Sequence, residues 1–166
     1  MPTASYFKEH YQMQAHPEGG WYRETYRSAD CIRLVDQADH FPNNRNYATA
    51  IYFLLEHGQY SAFHKIKSDE CWHFYAGDPL DVLMLDQSNG LTITKLGPHA
   101  EAGEVFQFVV PANTWFASRP SAGSSFSFVG CTVSPGFDFA DFELADASSL
   151  TAVYPEHAAT IHSLCR

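Results

Sequence analysis

The stretch GQYSAFHKIKSDECWHFYAG, from Gly58 to Gly77, decides what the rest of the chain can form. The residues on either side of a short polar turn at Ser68-Asp69 suit β-strands. Side chains two apart on a strand share a face. The polar pair His64 and Glu70 therefore falls on faces that otherwise carry apolar residues, namely Ile66, Trp72 and Phe74. A polar pair on an apolar wall is typical of an enclosed small-molecule pocket.

The composition predicts a folded chain of one domain. Of the 166 residues, 45% are hydrophobic and 17% are charged, which argues against disorder. The formal net charge of −9 argues against a nucleic-acid polymer or an anionic membrane as a partner. No apolar run is long enough to span a bilayer, and the N-terminus is too polar for a signal peptide. We therefore expect a cytoplasmic protein.

The cysteines predict no disulfide framework and no zinc ribbon. They are scattered, with no C-x-x-C pair, at Cys31, Cys71, Cys131 and Cys165. Reduced thiols in a cytosol fit this spacing. Packing in the core or on the surface is the preferred interpretation, and a catalytic cysteine is the alternative.

Short strand-like stretches recur along the whole chain. We count about nine to eleven of them, with helical signals only near the two ends. They include a short strand from Cys31 to Val35 and a hairpin turn at Ser88-Asn89-Gly90. This pattern predicts an antiparallel sandwich or barrel.

The first long strand, residues 21–27, has a mixed face. Strand alternation groups Tyr22 with Glu24 and Tyr26 on one side. Such a half-apolar face either lines a pocket or forms the solvated side of an edge strand, and the pattern does not decide between the two.

The opening stretch resembles the first motif of the cupin superfamily, G-x5-H-x-H-x3,4-E-x6-G. Gly58, His64, Glu70 and Gly77 match its spacing, and Ile66 stands where the second histidine would be. The second motif is matched more loosely by PANTWF, residues 111–116, where Phe116 stands in place of its histidine.

Four longer segments resemble one branch, cupin family 5, over residues 4–164: HPEGGWYRETYRS, SAFHKIKSDECWHFYAG, VVPANTWF and VGCTVSPGFDFADFELA. The resemblance implies an all-β, double-stranded β-helix (jelly-roll) barrel with short N- and C-terminal helices. It implies a single domain over residues 1–166, with a barrel core of about 18–144. It also implies a homodimer and kinship to epimerases of the dTDP-4-dehydrorhamnose type, without an established reaction.

The resemblance bears directly on metal binding. Metal-binding cupins hold a divalent ion with three histidines and a glutamate. This chain keeps His64 and Glu70 but has Ile66 and Phe116 at the other two positions, and apolar side chains offer no lone pairs. We therefore expect no cofactor. A divalent metal held weakly by His64 and Glu70 is the alternative, and strand alternation turns His73 away from Glu70.

Without a metal, His64 and Glu70 suit acid–base chemistry. A histidine and a carboxylate in an apolar cavity perturb each other's pKa, and one of them can remove a proton beside a carbonyl. A tyrosine would return the proton, with Tyr52 as the leading candidate and Tyr22 or Tyr26 as alternatives. Arg23 would hold a phosphate or carboxylate. The alternative is a purely structural role, in which His64 and Glu70 only satisfy each other's hydrogen bonds in the core.

The remaining candidates are assigned to the ligand-binding wall or to the surface. We predict that the wall contains Trp72, Phe74, Trp115, Ser127 and Cys131. The other histidines follow no metal-ligand spacing and are predicted to lie on the surface or in loops: His10, His16, His40, His57, His99, His157 and His162.

These residues together predict a cupin that binds a small polar ligand, such as a sugar or nucleotide-sugar, with isomerase- or epimerase-like chemistry. Two alternatives stay open. One is a metal-dependent oxygenase or isomerase with a reduced ligand set. The other is a binding or storage-like module without chemistry.

Overall fold

The computed structural model describes residues 2–33, 40–41, 43–88 and 90–166. Its strands, in chain order, are β1 (Gln14–Ala15), β2 (Trp21–Arg27), β3 (Cys31–Ile32), β4 (Arg45–Asn46), β5 (Thr49–Glu56), β6 (Ser61–Lys65), β7 (Asp69–Gly77), β8 (Leu80–Asp86), β9 (Gly90–Leu96), β10 (Gln107–Val110), β11 (Trp115–Pro120), β12 (Phe126–Ser134) and β13 (Glu143–Leu144). The helices are α1 (Ala4–His10), α2 (Ala147–Val153) and α3 (Ala158–Leu164).

The described strands form two main antiparallel sheets. The larger has the order β1-β2-β5-β12-β7-β10, and the smaller has the order β13-β6-β11-β8-β9. Most neighbours in each sheet are distant in the sequence, as they are when a folded-back ribbon of strands coils into a jelly roll. The predicted all-β, double-stranded β-helix barrel with short helices at both ends is confirmed.

Two local predictions involve residues that are only partly described. The strand predicted from Cys31 to Val35 is present as Cys31–Ile32, and residues 34 and 35 lie outside the described part of the chain. In the predicted turn before β9, Asn89 also lies outside it.

The stretch Gly58–Gly77 does not form a paired hairpin. Strand β6 pairs with β11 and β13 in the smaller sheet, whereas β7 pairs with β10 and β12 in the larger sheet. The turn between them therefore carries the chain from one sheet to the other. As a result, His64 and Glu70 approach the barrel interior from opposite sheets.

Side-chain alternation divides the buried residues into three layers. Between the sheets, the core includes Phe53, Leu55, Trp72 and Phe116. On the outer face of the smaller sheet, the C-terminal helices bury a second cluster of apolar residues: Phe63, Leu83, Leu85, Leu150, Ile161 and Leu164. On the outer face of the larger sheet, α1 covers a third: Phe7, Met13, Leu54 and Phe128. The apolar core fills one end of the barrel and leaves space at the other.

Strand β2 contains a β-bulge that changes which residues face inward. Glu24 pairs with Ile51, but Tyr26 pairs with Ala50, so Thr25 is an extra residue in the register. After this bulge, Arg27 pairs with Thr49 and turns to the same side as Glu24. Strict alternation would have placed Arg27 on the opposite face.

No helix among the described residues has both the length and the apolar character needed to cross a bilayer.

Candidate functional site

A cavity of about 470 Å³ opens at the end of the barrel that the apolar core leaves free. Its volume lies within the range of small-molecule binding sites. The lining comprises Gln14, His16, Glu18, Tyr22, Glu24, Arg27, Thr49, Ile51, His64, Ile66, Glu70, Cys131, Val133, Phe137, Asp138 and Phe139. Among the buried members, His64, Glu70, Glu18 and Cys131 form a closed end of the cavity, and exposed residues such as Glu24 and Phe139 form its mouth.

The closed end contains a carboxyl–imidazole pair. The Nε2 atom of His64 lies 3.1 Å from Oε2 of Glu18, and both side chains are buried. The other ring nitrogen of His64, Nδ1, lies 2.7 Å from the carbonyl oxygen of Ala62. Because a carbonyl only accepts hydrogen bonds, Nδ1 must carry a proton and donate it.

This tautomer fixes where the second proton lies. A neutral His64 then has a bare Nε2 facing a carboxyl oxygen, so one proton must lie between the two groups. Burial lowers the pKa of His64 and raises the pKa of Glu18. Both shifts favour a protonated Glu18 carboxyl that donates to a neutral imidazole.

The turn that carries Glu18 is held against β6. The backbone N–H of Ala62 donates to the carbonyl of Glu18 over 3.0 Å. Gly20 follows with a φ of +77°, and a Cβ there would lie 2.7 Å from the carbonyl oxygen of Leu54. Glycine thus lets the turn approach the larger sheet, and this approach places the Glu18 carboxyl at the closed end.

Glu70 is the second buried acid of the cavity. Burial raises the pKa of Glu70 to about 7. The thiol of Cys131 is its hydrogen-bond partner. A carboxyl group with such a pKa is protonated in part of the molecules at neutral pH, so it can both accept and donate a proton.

Cys131 is not an activated nucleophile. Burial and the neighbouring Glu70 raise the pKa of the Cys131 thiol well above its ordinary value. A reactive cysteine needs the opposite shift, because only the thiolate attacks. Cys131 therefore serves as lining and as a hydrogen-bond partner.

His16 lies beside Glu18 in the wall of the cavity. Its side chain is only 7% exposed, and its Nδ1 accepts a hydrogen bond of 3.3 Å from the backbone N–H of Glu18. Its ring meets that of Tyr22 edge-on at 4.7 Å. Burial lowers the pKa of His16. His16 lies in a loop, which is one of the two predicted places, but its side chain is buried in the cavity wall and not on the surface.

The mouth combines aromatic rings with an ion pair. The rings of Phe137 and Phe139 meet edge-on at 5.0 Å, and both line the cavity. The guanidinium of Arg27 donates to both carboxylate oxygens of Glu24, over 2.7 and 3.1 Å. This two-point contact fixes the geometry of the pair.

Of the predicted site residues, the structure brings four together on the lining: His64, Glu70, Cys131 and the alternative tyrosine Tyr22. The prediction that Tyr52 returns a proton in the site is wrong. Its side chain points to the outer face of the larger sheet, where it packs against Tyr11 and Phe128. Its neighbour across the strands, Arg23, is exposed and also lies off the lining.

The other predicted wall residues are corrected as well. Trp72 and Phe74 belong to the apolar core between the sheets, beyond the closed end of the cavity. Trp115 packs on the C-terminal helices and lies under the ammonium of Lys65 at 4.4 Å. Ser127 is buried and donates to the carbonyl of Asp78 over 2.8 Å. Each is held by contacts with the protein, so none of the four lines the cavity.

The sequence-based prediction missed Glu18. It lies in a turn, where neither strand nor helix periodicity indicates a direction for the side chain. The available signal was the segment His16-Pro17-Glu18-Gly19-Gly20, in which two charged or titratable residues precede a double glycine.

The residues at this site do not offer the ligands with which metal-binding cupins hold a divalent ion. Ile66 lines the cavity with an apolar side chain, and the ring of Phe116 packs at 4.1 Å from that of His64. Within the described ranges, no three His, Cys, Asp or Glu side chains are arranged to hold a metal ion. His73 is tied to Thr132 and Gln107, away from Glu70.

Comparison with known proteins gives a consistent relationship. An uncharacterised protein of Saccharomyces cerevisiae, YML079W, is 28% identical over 162 residues, which cover 91% of this chain and 80% of the yeast protein. The crystal structure of protein SO0799 from Shewanella oneidensis has 40% identity and a TM-score of 0.89, covering 100% of this chain and 99% of that one. A hypothetical protein from Leishmania major has 33% identity and a TM-score of 0.88, with 99% of both chains covered.

A more distant similarity supports the fold alone. Oxalate decarboxylase from Bacillus subtilis has a TM-score of 0.55 at 14% identity, over 90% of this chain and 36% of that one.

The sequence profile of the family Cupin_5, described as "Cupin superfamily (DUF985)", matches residues 5–145. The chain therefore belongs to the cupin superfamily, in this family of unknown function.

Proposed function

We propose that this cupin binds a small polar molecule, of the sugar or nucleotide-sugar class, in the barrel cavity and catalyses an isomerase- or epimerase-like proton transfer on it without a tightly bound metal. The observation that carries the proposal is the pairing of two buried acid–base groups in one cavity. One is Glu70, with its pKa raised to about 7, and the other is the Glu18–His64 pair, which holds a proton.

The proposed reaction needs a base and an acid on one substrate. Ionised Glu70 takes a proton from a carbon beside a carbonyl, and the electrons of that C–H bond move toward the carbonyl oxygen. The protonated Glu18 carboxyl, with its proton shared toward His64, supplies a proton to the substrate. That proton goes to the carbonyl oxygen and gives an enol. Glu70 then returns its proton to a carbon of the enol while an enol O–H proton passes back to Glu18, so both carboxyl groups end as they began and no oxidant or reductant is consumed.

Burial supports this use of the two carboxyl groups. In water a glutamate has an ordinary pKa of 4.5 and is a weak base at neutral pH. A base works best when its pKa lies near the working pH. The low exposure of Glu70 gives it this property without a metal, and burial moves the pKa of Glu18 in the same upward direction.

One observation favours a second candidate, a binding module without chemistry. Each member of the cluster already has a partner in the protein, since His64 contacts Glu18 and Glu70 contacts Cys131. Such mutual satisfaction is also what a purely structural buried cluster requires. The metal-dependent alternative gains no support from the apolar side chains of Ile66 and Phe116.

Exchange of carbon-bound hydrogen with solvent separates the enzyme from the binder. Free aldoses and ketoses, and a nucleotide-linked 4-keto sugar, are incubated with the protein in D₂O, and loss of the proton beside the carbonyl is followed by ¹H NMR. We expect catalysed exchange with at least one sugar, and a rate lower by about 100-fold or more in Glu70→Gln and in Glu18→Gln.

The matched control for this experiment is Glu101→Gln, which makes the same chemical change at an exposed glutamate outside the cavity lining. It should exchange at the parent rate. Binding without exchange in the parent protein would reject the isomerase and leave the binding module. Unchanged exchange in both cavity variants would reject the roles given to Glu18 and Glu70.

A cytoplasmic location and a homodimeric assembly stay predictions of the sequence and of the family resemblance. Size-exclusion chromatography with light scattering measures the oligomeric state directly.

A further inference from the structure

We infer that the ligand of the cavity is an uncharged polyhydroxylated molecule, such as a free monosaccharide or polyol, and not a phosphorylated or nucleotide-linked sugar. The inference rests on the proposed binding function of the cavity and narrows its ligand class. It is carried by the charge of the lining, since the volume admits either class of ligand.

Positive charge is scarce in the cavity. Among the lining residues, Arg27 is the single lysine or arginine within the described chain. Recognition of a phosphate normally uses free arginine forks, lysine ammonium groups or a cradle of backbone N–H groups. One arginine is therefore the whole supply of permanent positive charge.

Arg27 is already occupied. Its Nε and one terminal nitrogen donate to the two carboxylate oxygens of Glu24. Its other terminal nitrogen donates to Oδ1 of Asn46 over 2.8 Å and to the carbonyl of Phe137 over 3.1 Å. A guanidinium has five N–H donors, so these contacts leave one free for a ligand.

Other nearby cations are likewise engaged by protein groups. Arg166 donates to the carbonyl of Pro17, in the turn that carries Glu18, and its charge acts on His16 and Glu18 from there. Arg45 is paired with Asp141 over 2.6 Å. Neither belongs to the lining.

Negative charge and hydrogen-bond acceptors are plentiful. The lining carries four carboxyl groups, from Glu18, Glu24, Glu70 and Asp138. Glu18 shares its proton with His64 and Glu24 is paired with Arg27, so Glu70 and Asp138 are the acids that face a ligand. Carboxylates accept hydrogen bonds, and hydroxyl groups of a polyol are donors that match them. A phosphate has no surplus donors and would face like charge, which is costly in a partly buried site.

The apolar part of the wall suits the ring of a sugar. Tyr22, Phe137 and Phe139 present aromatic surface beside the acceptors. Aromatic side chains bury large apolar areas, whereas acceptors at the rim and base fix the orientation of the ligand. A polyhydroxylated ring has both an apolar face and a circle of hydroxyl donors.

The test compares matched probes by isothermal titration at pH 8 and low salt. D-glucose is paired with glucose 6-phosphate, D-fructose with fructose 6-phosphate, and dTDP-glucose represents the nucleotide-linked class. We expect at least one free sugar to bind, with a Kd at least about tenfold lower than that of its phosphate and of dTDP-glucose. D-glucosamine tests whether positive charge alone drives binding.

Glu24→Gln sharpens the comparison. This change removes one carboxylate and frees the Arg27 guanidinium, so the preference for the free sugar over its phosphate should shrink or reverse. Glu101→Gln makes the same charge change outside the lining and should keep the parent preference.

Three results would overturn the inference: tighter or equal binding of a phosphorylated or dTDP-linked probe by the parent protein, binding of D-glucosamine alone, or no binding by any free sugar. Tighter binding of fructose 6-phosphate than of D-fructose, with solvent exchange of the hydrogen beside its carbonyl, would reject the ligand class and leave the proposed reaction standing. Binding of a free sugar without exchange would support the ligand class and reject the proposed reaction.

Discussion

Glu70 is the buried acid whose pKa shift bears most directly on the proposed chemistry. It is 8% exposed, and its pKa lies at about 7 because burial disfavours the charged form. An acid with a raised pKa holds its proton to higher pH in the folded protein than in the unfolded chain. Between pH 4.5 and about 7, the folded state therefore binds more protons, and the contribution of Glu70 to stability falls as the pH rises.

Replacing Glu70 with glutamine removes this pH-dependent penalty. A pKa raised from 4.5 to about 7 corresponds to about 3 kcal/mol above pH 7. We expect the free energy of unfolding of Glu70→Gln to exceed that of the parent by about this amount at pH 8, and the difference to be near zero at pH 4.5. Urea denaturation at both pH values measures it. A difference that does not change with pH would contradict the prediction, and Glu101→Gln is the control.

At this scale, the sequence located the acid–base residues that lie on regular strands and missed the one in a turn, and it placed several other strand residues on the cavity wall wrongly. His64 and Glu70 were found because alternation gives the direction of a strand side chain. Glu18 lies in a turn, where no periodicity exists. Tyr52 was misplaced because β5 is apolar on both faces, so the sequence does not show which face borders the cavity.

The segment Phe137–Phe142 is the element that shapes the mouth, and a buried ion pair holds it in place. Arg45 donates to both oxygens of Asp141 over 2.6 and 2.7 Å, with the two side chains only 2% and 5% exposed. Breaking one partner of such a pair leaves an unpaired buried charge. The pair therefore couples β4 to the segment that carries Phe137 and Phe139.

Asp141→Asn should destabilise the protein by about 3 kcal/mol, because Arg45 keeps its buried charge without a carboxylate partner. Thermal denaturation measures the effect. Glu143→Gln is the matched control, since its contact with Lys65 is exposed, and it should change the free energy of unfolding by less than about 1 kcal/mol.

A double replacement tests the physical reason. Changing Arg45 to Met together with Asp141 to Leu removes both charges, so most of the lost stability should return. If the double variant is as unstable as Asp141→Asn, the uncompensated charge is not the cause.

The elements themselves were largely predictable, but their assignment to sheets was not. Spacing and turn residues locate β6 and β7, yet they do not show that the turn between them crosses from one sheet to the other. The bulge at Thr25 was also invisible, because one extra residue in a ladder leaves no mark on local composition. That bulge is what brings Arg27 to the mouth beside Glu24.

At the scale of the whole molecule, the jelly roll places a hydrophobic core and a polar cavity in the same barrel. Trp72 and Phe116 fill one end, and the acid–base residues occupy the other. The short strands that recur along the whole chain and the spacing of the cupin motif together predicted this architecture. How far the aromatic core extends depended on packing between sheets, which explains why Trp72 and Phe74 were expected on the ligand wall.

The central claim is that the cavity contains a glutamate poised to exchange protons at neutral pH. Carbon-13 NMR titration of the side-chain carboxyl groups, in protein labelled at glutamate, tests it without knowledge of the ligand. We predict a carboxyl signal that titrates at about pH 7 in the parent protein and is absent from Glu70→Gln. If every glutamate carboxyl of the parent titrates below about pH 5, within the ordinary range for this residue, the claim is contradicted.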